Sequence, residues 1–143
     1  MESSDVPRWE HFEHQADMGI RGWGRTLDEA FGQAARALVA VSVDIATVAP
    51  RESVRVSCQA SDREMLLFEW LNAVVYQMAT RKMLFCEFQV TCQGTQLEGE
   101  MRGEVLDRQR HQPALEVKAA TVTCLRVARE PNGLWSAQCV VDV

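Results

Sequence analysis

The sequence lacks the patterns that mark membrane, exported or disulfide-stabilised proteins. No apolar run reaches the roughly 18 residues of a membrane-spanning helix, and residues 1–5 are polar and acidic, unlike a signal or transit peptide. The 5 cysteines are odd in number and include no Cys-x-x-Cys pair, which argues against a disulfide framework or a zinc ribbon. We therefore expect no membrane association, reduced and buried thiols, and a cytoplasmic protein.

Positive charge is also scarce in this chain. The 15 lysines and arginines are outnumbered by 20 acidic residues, which leaves a net charge of −5. A protein that holds a nucleic-acid backbone needs a basic surface, and the only small basic cluster, Arg108, Arg110 and His111, is diluted by Asp107. We therefore expect no tight direct binding of nucleic acid.

Known catalytic signatures are missing as well. The sequence contains no Gly-x-Ser-x-Gly, no His-Glu-x-x-His, no phosphate-binding glycine loop and no dinucleotide-binding fingerprint. Its 3 histidines, His11, His14 and His111, are too scattered to predict a histidine-ligated metal site.

The periodicity of apolar residues predicts a single domain over residues 1–143, with residues 1–7 as a flexible tail. Helices are predicted from 27 to about 42–44 and from about 62 to 80, each opened by a capping box, Thr26 with Glu29 and Ser61 with Glu64. Strands are predicted at 8–14, 18–24, 53–60, 84–93, 96–105, 115–129 and 134–143. The order β-β-α-β-α-β-β-β-β indicates an α+β fold, with two helices packed on one face of a largely antiparallel sheet.

The second predicted helix is apolar over most of its circumference, which predicts contacts on more than one side. Its polar residues Glu69 and Asn72 then need hydrogen-bonding partners.

Carboxylates stand at the ends of two predicted strands. Asp17 follows His14 in a polar stretch between the first two strands, and Asp142 is next to the carboxyl group of Val143 at the end of the last strand. If the fold brings these ends together, three negative groups meet. Such a cluster is unfavourable alone and favourable around a hard cation such as calcium or magnesium.

Each of these groups also has a purely structural interpretation. Three interpretations of His14 and Asp17 remain open: a base with its orienting partner, a metal-site pair, or two side chains that cap backbone amides. Asp142 and Val143 are cation ligands or a frayed terminus, although the apolar ending favours a strand held in the sheet. Lys118 is a functional cation or a solvated lysine, and Asp44 is functional or a helix-terminal cap.

Taken together, these segments resemble the archease family, the small partner proteins of RtcB-type RNA ligases. The resemblance covers nearly the whole chain, from Trp9 to Val143. It is carried by five segments in the right order: His14-Gln15-Ala16-Asp17-Met18-Gly19-Ile20, Thr26-Leu27-Asp28-Glu29-Ala30-Phe31, Leu66-Leu67-Phe68-Glu69-Trp70-Leu71-Asn72, Glu116-Val117-Lys118-Ala119-Ala120-Thr121 and Val141-Asp142-Val143.

The resemblance implies a non-catalytic activator that promotes guanylylation of an RtcB-type ligase and its multiple turnover in tRNA splicing and RNA repair. It also implies a divalent cation, calcium, held by Asp17, Asp142 and Val143. Lys118 belongs to the functional surface, to which we also assign three further residues as candidates: His14, Asp44 and Glu69.

The chain departs from the family pattern at two places. Gln15 replaces the usual threonine, and Val122-Thr123 stands where many relatives carry an aromatic residue and a histidine. Two other functions remain open: a generic protein-binding or chaperone-like module, and a metal-dependent hydrolase. The hydrolase ranks last, because the sequence offers no general base beyond His14 and no second acidic cluster.

Overall fold

The computed structural model of the protein describes residues 6–143. Within that part of the chain, eight strands and three α-helices follow one another, with a 3-10 turn at Ile45–Thr47 after the first helix. In chain order they are β1 (Arg8–His14), β2 (Asp17–Gly24), α1 (Leu27–Ser42), β3 (Glu52–Gln59), α2 (Arg63–Arg81), β4 (Met83–Gln93), β5 (Gln96–Val105), α3 (Arg108–His111), β6 (Ala119–Ala120), β7 (Arg126–Arg129) and β8 (Trp135–Asp142).

The strands form two antiparallel sheets. In the five-stranded sheet the order is β1-β2-β8, and both β6 and β7 pair with the far side of β8. In the three-stranded sheet the order is β3-β5-β4. The predicted α+β class is confirmed, but the single sheet with both helices on one face is corrected, because the structure places α1 between two sheets.

Helix α1 can lie between the sheets because small residues stand where it approaches each sheet most closely. Toward the five-stranded sheet, Gly22 of β2 lies so close that an added Cβ would sit 2.2 Å from the backbone nitrogen of Ala34. Toward the three-stranded sheet, an added Cβ on Gly32 would sit 3.3 Å from the carbonyl oxygen of Phe88. The core therefore lies on both sides of α1, where Ala30, Ala34, Ala35 and Ala37 are completely buried.

Helix α2 closes the core at Trp70, which is fully buried. The indole Nε1 donates a hydrogen bond to the carbonyl oxygen of Phe31, 3.0 Å away in α1. Its ring occupies the space above Gly99 of β5, where an added Cβ would come within 2.4 Å of it. The expected contacts of this helix on more than one side are confirmed, since α2 also packs against β6 and β7 of the other sheet.

Two predicted segments are divided differently in the structure. The long strand predicted at 115–129 is wrong as one strand, because a turn with Cys124 in a left-handed conformation (φ 55°) separates β6 from β7. The segment between the predicted strands at 96–105 and 115–129 contains the short helix α3, which Asp107 caps by accepting the amides of Gln109 and Arg110.

Of the two predicted capping boxes, the threonine cap of α1 is confirmed, and the cap predicted for α2 is wrong. Thr26 accepts the amide of Glu29, 3.1 Å away. At α2 the cap is Asp62 rather than Ser61, and Glu64 instead accepts the amide of Val127 at 3.1 Å, because it turns toward the outer edge of β7.

The predicted flexible tail is corrected at its inner end. Residues 1–5 lie outside the described residues, while the Val6 side chain is buried and its carbonyl oxygen accepts a hydrogen bond from Nη1 of Arg25 at 2.9 Å. Among residues 6–143, no helix combines the length and the apolar character needed to cross a membrane.

Candidate functional site

The β1–β2 hairpin places His14 opposite Asp17. These two residues are the last cross-strand pair of the hairpin, and Gln15 and Ala16 form the two-residue connection. Gln15 adopts a left-handed conformation with φ 53°, which non-glycine residues adopt at some cost. The cross-strand pair directs both side chains to the same face of the sheet.

The register of β2 with β8 brings Asp17 beside Asp142. Met18 pairs with Val141 and Gly19 with Val140, so the next position in each strand is an aspartate. Cβ atoms of directly opposed residues lie about 5 Å apart in antiparallel pairs. On its other side Asp142 pairs with Ala119, and its carbonyl oxygen accepts the amide of Lys118 at 2.8 Å.

We call Asp17, Asp142 and the carboxyl group of Val143 the acidic tip. Val141 is fully buried, and the half-buried Val143 side chain packs against the hydrophobic core. The packing holds the end of β8 in the sheet, which rules out the interpretation of these residues as a frayed end.

The two aspartates of the tip differ from the other aspartates in residues 6–143 because their side chains accept no hydrogen bond from a backbone amide. Four of the six described aspartates accept hydrogen bonds from backbone amides, and these are Asp28, Asp44, Asp62 and Asp107. Within the described residues, the Asp17 and Asp142 side chains have no hydrogen bond or ion pair, and both are exposed. Neither His14 nor Asp17 therefore caps a backbone amide, and both tip carboxylates are available to a ligand.

Lys118 lies next to the tip because α2 holds strand β6 in place. The Asn72 side chain pairs with the backbone of Ala120 in both directions: its Oδ1 accepts the amide at 2.9 Å, and its Nδ2 donates to the carbonyl oxygen at 3.3 Å. The sequence indicated that Asn72 needs a partner, but it did not indicate that the partner is a strand edge.

Asp44 lies at the same end of the molecule, in a structural role. His11 of β1 donates its Nε2 hydrogen to the carbonyl oxygen of Ala37 at 2.8 Å, which aligns β1 with α1. From that contact, β1 runs three residues on to His14, and α1 runs five residues on to its end at Ser42, two residues before Asp44. The Asp44 carboxylate caps the 3-10 turn by accepting the amide of Ala46 at 3.1 Å.

Glu69 is an exposed residue of α2, one helical turn before Asn72. Its negative charge adds to the effect of burial, which raises the pKa of the Cys58 thiol to about 11. Cys58 lies near the end of β3, in register with Leu97 of β5. Of the predicted functional surface, His14 pairs with Asp17 and Lys118 donates its amide to Asp142, whereas no hydrogen bond or ion pair among the described residues joins Asp44 or Glu69 to the tip.

The donor set of the tip suits a hard cation but is small. Among residues 6–143, no three histidine, cysteine or acidic side chains lie close enough together to hold a metal ion. A site here would need the carboxyl group of Val143 in addition to the two aspartates. All three are oxygen ligands, which calcium and magnesium prefer, and solvent would have to complete the coordination.

The cysteines offer no reactive thiolate at this site or elsewhere in the core. Burial raises the pKa of Cys92 and of Cys139 to about 12. Because the thiolate is the nucleophilic form, these thiols remain inert at neutral pH.

The chain is similar to known proteins along nearly its whole length. A model of the Archease protein family (MTH1598/TM1083) matches residues 9–143. The protein archease of Thermococcus gammatolerans is 41% identical over 140 residues, which cover 95% of this chain and 99% of that one. The protein archease of Pyrococcus furiosus is 36% identical, again over 95% of this chain and 99% of that one.

Two solved structures share the fold. The solution structure of protein 1598 from Methanobacterium thermoautotrophicum superimposes with a TM-score of 0.82 at 29% identity and covers 96% of this chain and 100% of that one. The crystal structure of an archease from Thermotoga maritima, described as a possible chaperone, has a TM-score of 0.61 at 16% identity, over 94% and 96% of the two chains. The family match over residues 9–143, together with relatives above 30% identity along their full length, shows that the chain belongs to the archease family.

Proposed function

We propose that this protein activates an RtcB-type RNA ligase in the cytoplasm, without itself being an enzyme. In this proposal it promotes guanylylation of the ligase and repeated turnover in tRNA splicing and RNA repair. The acidic tip contacts the ligase, and Lys118 and His14 flank the contact.

One observation carries the proposal: the two aspartates that cap nothing in the described residues are neighbours in the sheet. Exposed carboxylates held side by side repel each other, so the fold retains an arrangement that is unfavourable until a positive partner arrives. The metal- and nucleotide-binding cleft of an RNA ligase offers such positive charge. Because Val143 packs on the core, the tip meets that cleft as a rigid element.

Binding of the tip can accelerate the ligase only through a difference in affinity between two states of the ligase. We infer that the tip binds more tightly to the conformation that is competent for attack on GTP, or to the one that exchanges metal and product. Either preference raises turnover when the corresponding conformational step limits the rate.

The direct test measures ligation by a purified RtcB-type ligase at limiting enzyme, with and without this protein. We expect more product per ligase molecule with the wild type, and loss of this stimulation with Asp17→Ala and with Asp142→Ala. Glu52→Ala is the matched control, because Glu52 is an exposed carboxylate at the start of β3.

Far-UV circular dichroism of each variant shows whether the fold is intact. Full stimulation by both folded aspartate variants would refute the assignment of the tip. No stimulation by the wild type, with a ligase that is active on its own, would refute the proposed function.

The proposal includes a divalent cation, calcium, bound by Asp17, Asp142 and the carboxyl group of Val143. When bound, the cation would neutralise the repulsion within the tip and supply positive charge for oxygen ligands of the ligase. A ligand at 100 times its Kd stabilises the folded state by about 2.7 kcal/mol. Calcium should therefore raise the melting temperature of the wild type, and less so that of Asp17→Ala or of a variant extended by Gly-Ser after Val143.

A chaperone-like module is the second candidate, and the described surface offers one observation in its favour. Leu115 is an exposed leucine, 48% accessible, beside an apolar groove. Such a module would suppress aggregation of unrelated unfolded proteins and would leave ligation unchanged. The ligation assay and a light-scattering assay on a heat-denatured protein separate the two functions.

A further inference from the structure

A groove opens beside the acidic tip, between α2, the start of β4 and the segment that leads into β6. Its volume is about 390 Å³. Most of the residues that line it are apolar, including Val75, Met78, Ala79, Leu84, Leu115 and Val117.

The groove is continuous with the tip along the chain. Val117 lines the groove, and the amide of the next residue, Lys118, donates to the carbonyl oxygen of Asp142 at 2.8 Å. The same segment is held at its start by a hydrogen bond from the amide of Ala114 to the carbonyl oxygen of Ser42 at 2.8 Å. A partner bound to the tip thus has the groove within the same contact area.

Two cations line this groove, Lys82 and Arg108, against one carboxylate, Glu116. Within the described residues, neither Lys82 nor Arg108 takes part in an ion pair, so the charge of both is available to a ligand. In a chain with a net charge of −5, a groove that combines apolar side chains with an excess of positive charge favours an occupant that carries an apolar side chain and a negative charge.

We propose that the groove binds a segment of the same RNA ligase, one in which an apolar side chain lies next to a carboxylate. This inference rests on the proposed function and adds a second contact to it. The groove contributes affinity, because it removes apolar surface from water, while the tip contributes the change in the rate of the ligase. The two contacts therefore predict different kinetic effects.

The test measures the Kd of the complex with purified ligase by calorimetry, and in parallel the stimulation at saturating activator. Leu115→Ser removes the apolar contact, Ala79→Trp fills the groove, and Arg108→Glu reverses its charge. We expect each to raise Kd about tenfold or more and to leave the maximal stimulation at the wild-type level. Asp17→Ala should show the reverse pattern, with the maximal stimulation lost.

Two control variants match these changes outside the groove. Val122→Ser removes an exposed valine that is 61% accessible in the β6–β7 turn, and Arg55→Glu reverses a charge whose side chain is 84% exposed on β3. Both should leave Kd within about twofold of the wild-type value.

The outcomes separate the two proposals. If Leu115→Ser and Ala79→Trp leave Kd unchanged while the wild type stimulates the ligase, the groove is not a binding site for the ligase. The proposed function would then still hold. Equal losses in the groove variants and their controls overturn the groove as well. A wild type that neither binds nor stimulates the ligase overturns the proposed function and the groove together.

Discussion

At the scale of single residues, Glu104 keeps a negative charge in the interior next to α3. Its carboxylate accepts hydrogen bonds from Arg110, from the amide of Ala49 at 2.8 Å, from His111 and from Arg51. Nδ1 of the buried His111 ring accepts the amide of Asp107 at 2.9 Å, so it is Nε2 that carries the hydrogen donated to Glu104. These partners lower the pKa of Glu104 from 4.5 to about 2, with Arg110 as the largest cause.

The lowered pKa predicts how stability depends on pH. Because the folded state holds the Glu104 carboxylate ionised, its contribution is fully present above pH 4.5 and is lost as the pH falls toward about 2. Glu104→Gln should lower the free energy of unfolding at neutral pH by about 2 kcal/mol. Urea denaturation across this pH range should show the difference from wild type shrinking as the solution becomes more acidic.

Glu98→Gln is the control for this prediction, because Glu98 is an exposed carboxylate on β5. It should change stability by about 0.5 kcal/mol or less. A deficit of Glu104→Gln that stays constant from neutral to acidic pH would contradict the assigned role of the charge.

At the scale of secondary-structure elements, the close approach of α1 to β2 depends on glycine. An added Cβ on Gly22 would lie 2.2 Å from the nitrogen of Ala34 and 2.4 Å from the carbonyl oxygen of Ala30, both backbone atoms that cannot rotate away. On the opposite face of β2, the three atoms nearest to an added Cβ on Gly19 all belong to the Phe12 ring, a side chain that can rotate.

The two glycines therefore form a matched pair of substitutions. Gly22→Ala forces α1 away from the sheet and should cost about 3 kcal/mol. Gly19→Ala requires only rotation of the Phe12 ring, which gives up its contact with Arg21, and should cost about 1 kcal/mol. Chemical denaturation of both variants measures the difference, and equal losses would contradict this account of the packing.

At the scale of the whole molecule, the net charge of −5 and the acidic tip would both attract the positively charged cleft of the proposed ligase. Electrostatic attraction of this kind accelerates encounter more than it strengthens the final complex, and salt screens it. The net charge of the molecule should therefore affect mainly the association rate. The local chemistry of the tip should affect mainly the stability of the complex.

If the proposed function holds, the association rate with the ligase should fall as salt rises from about 50 mM to 500 mM, across which the screening length falls to a few ångströms. Stopped-flow fluorescence measures this rate, with stimulation at saturating activator as the control that should remain constant. An association rate independent of salt would show that the charge of the molecule plays no part in the encounter.

Much of the fold was predictable because its signals are local. The alternation of apolar residues placed most strands, Thr26 and Glu29 marked the start of α1, and the segment from His14 to Gly19 supported the family assignment that the comparisons confirm. The turn at Cys124 was missed, because a single left-handed residue inside an apolar run leaves little trace in the sequence. The division into two sheets was missed because it depends on contacts between elements far apart in the chain.

The sequence by itself determined most of the elements, the family and which carboxylates are candidates for the site, since these follow from residue types and their spacing. Only the tertiary structure decided that Asp17 and Asp142 are neighbours, that Asp44 is a cap, and that the charge of Glu69 acts on Cys58. The sequence did not indicate that Lys82 and Arg108 line one groove, because a groove exists only where distant segments pack side by side. Periodicity encodes which face of an element is buried, whereas strand register and helix packing decide which residues meet.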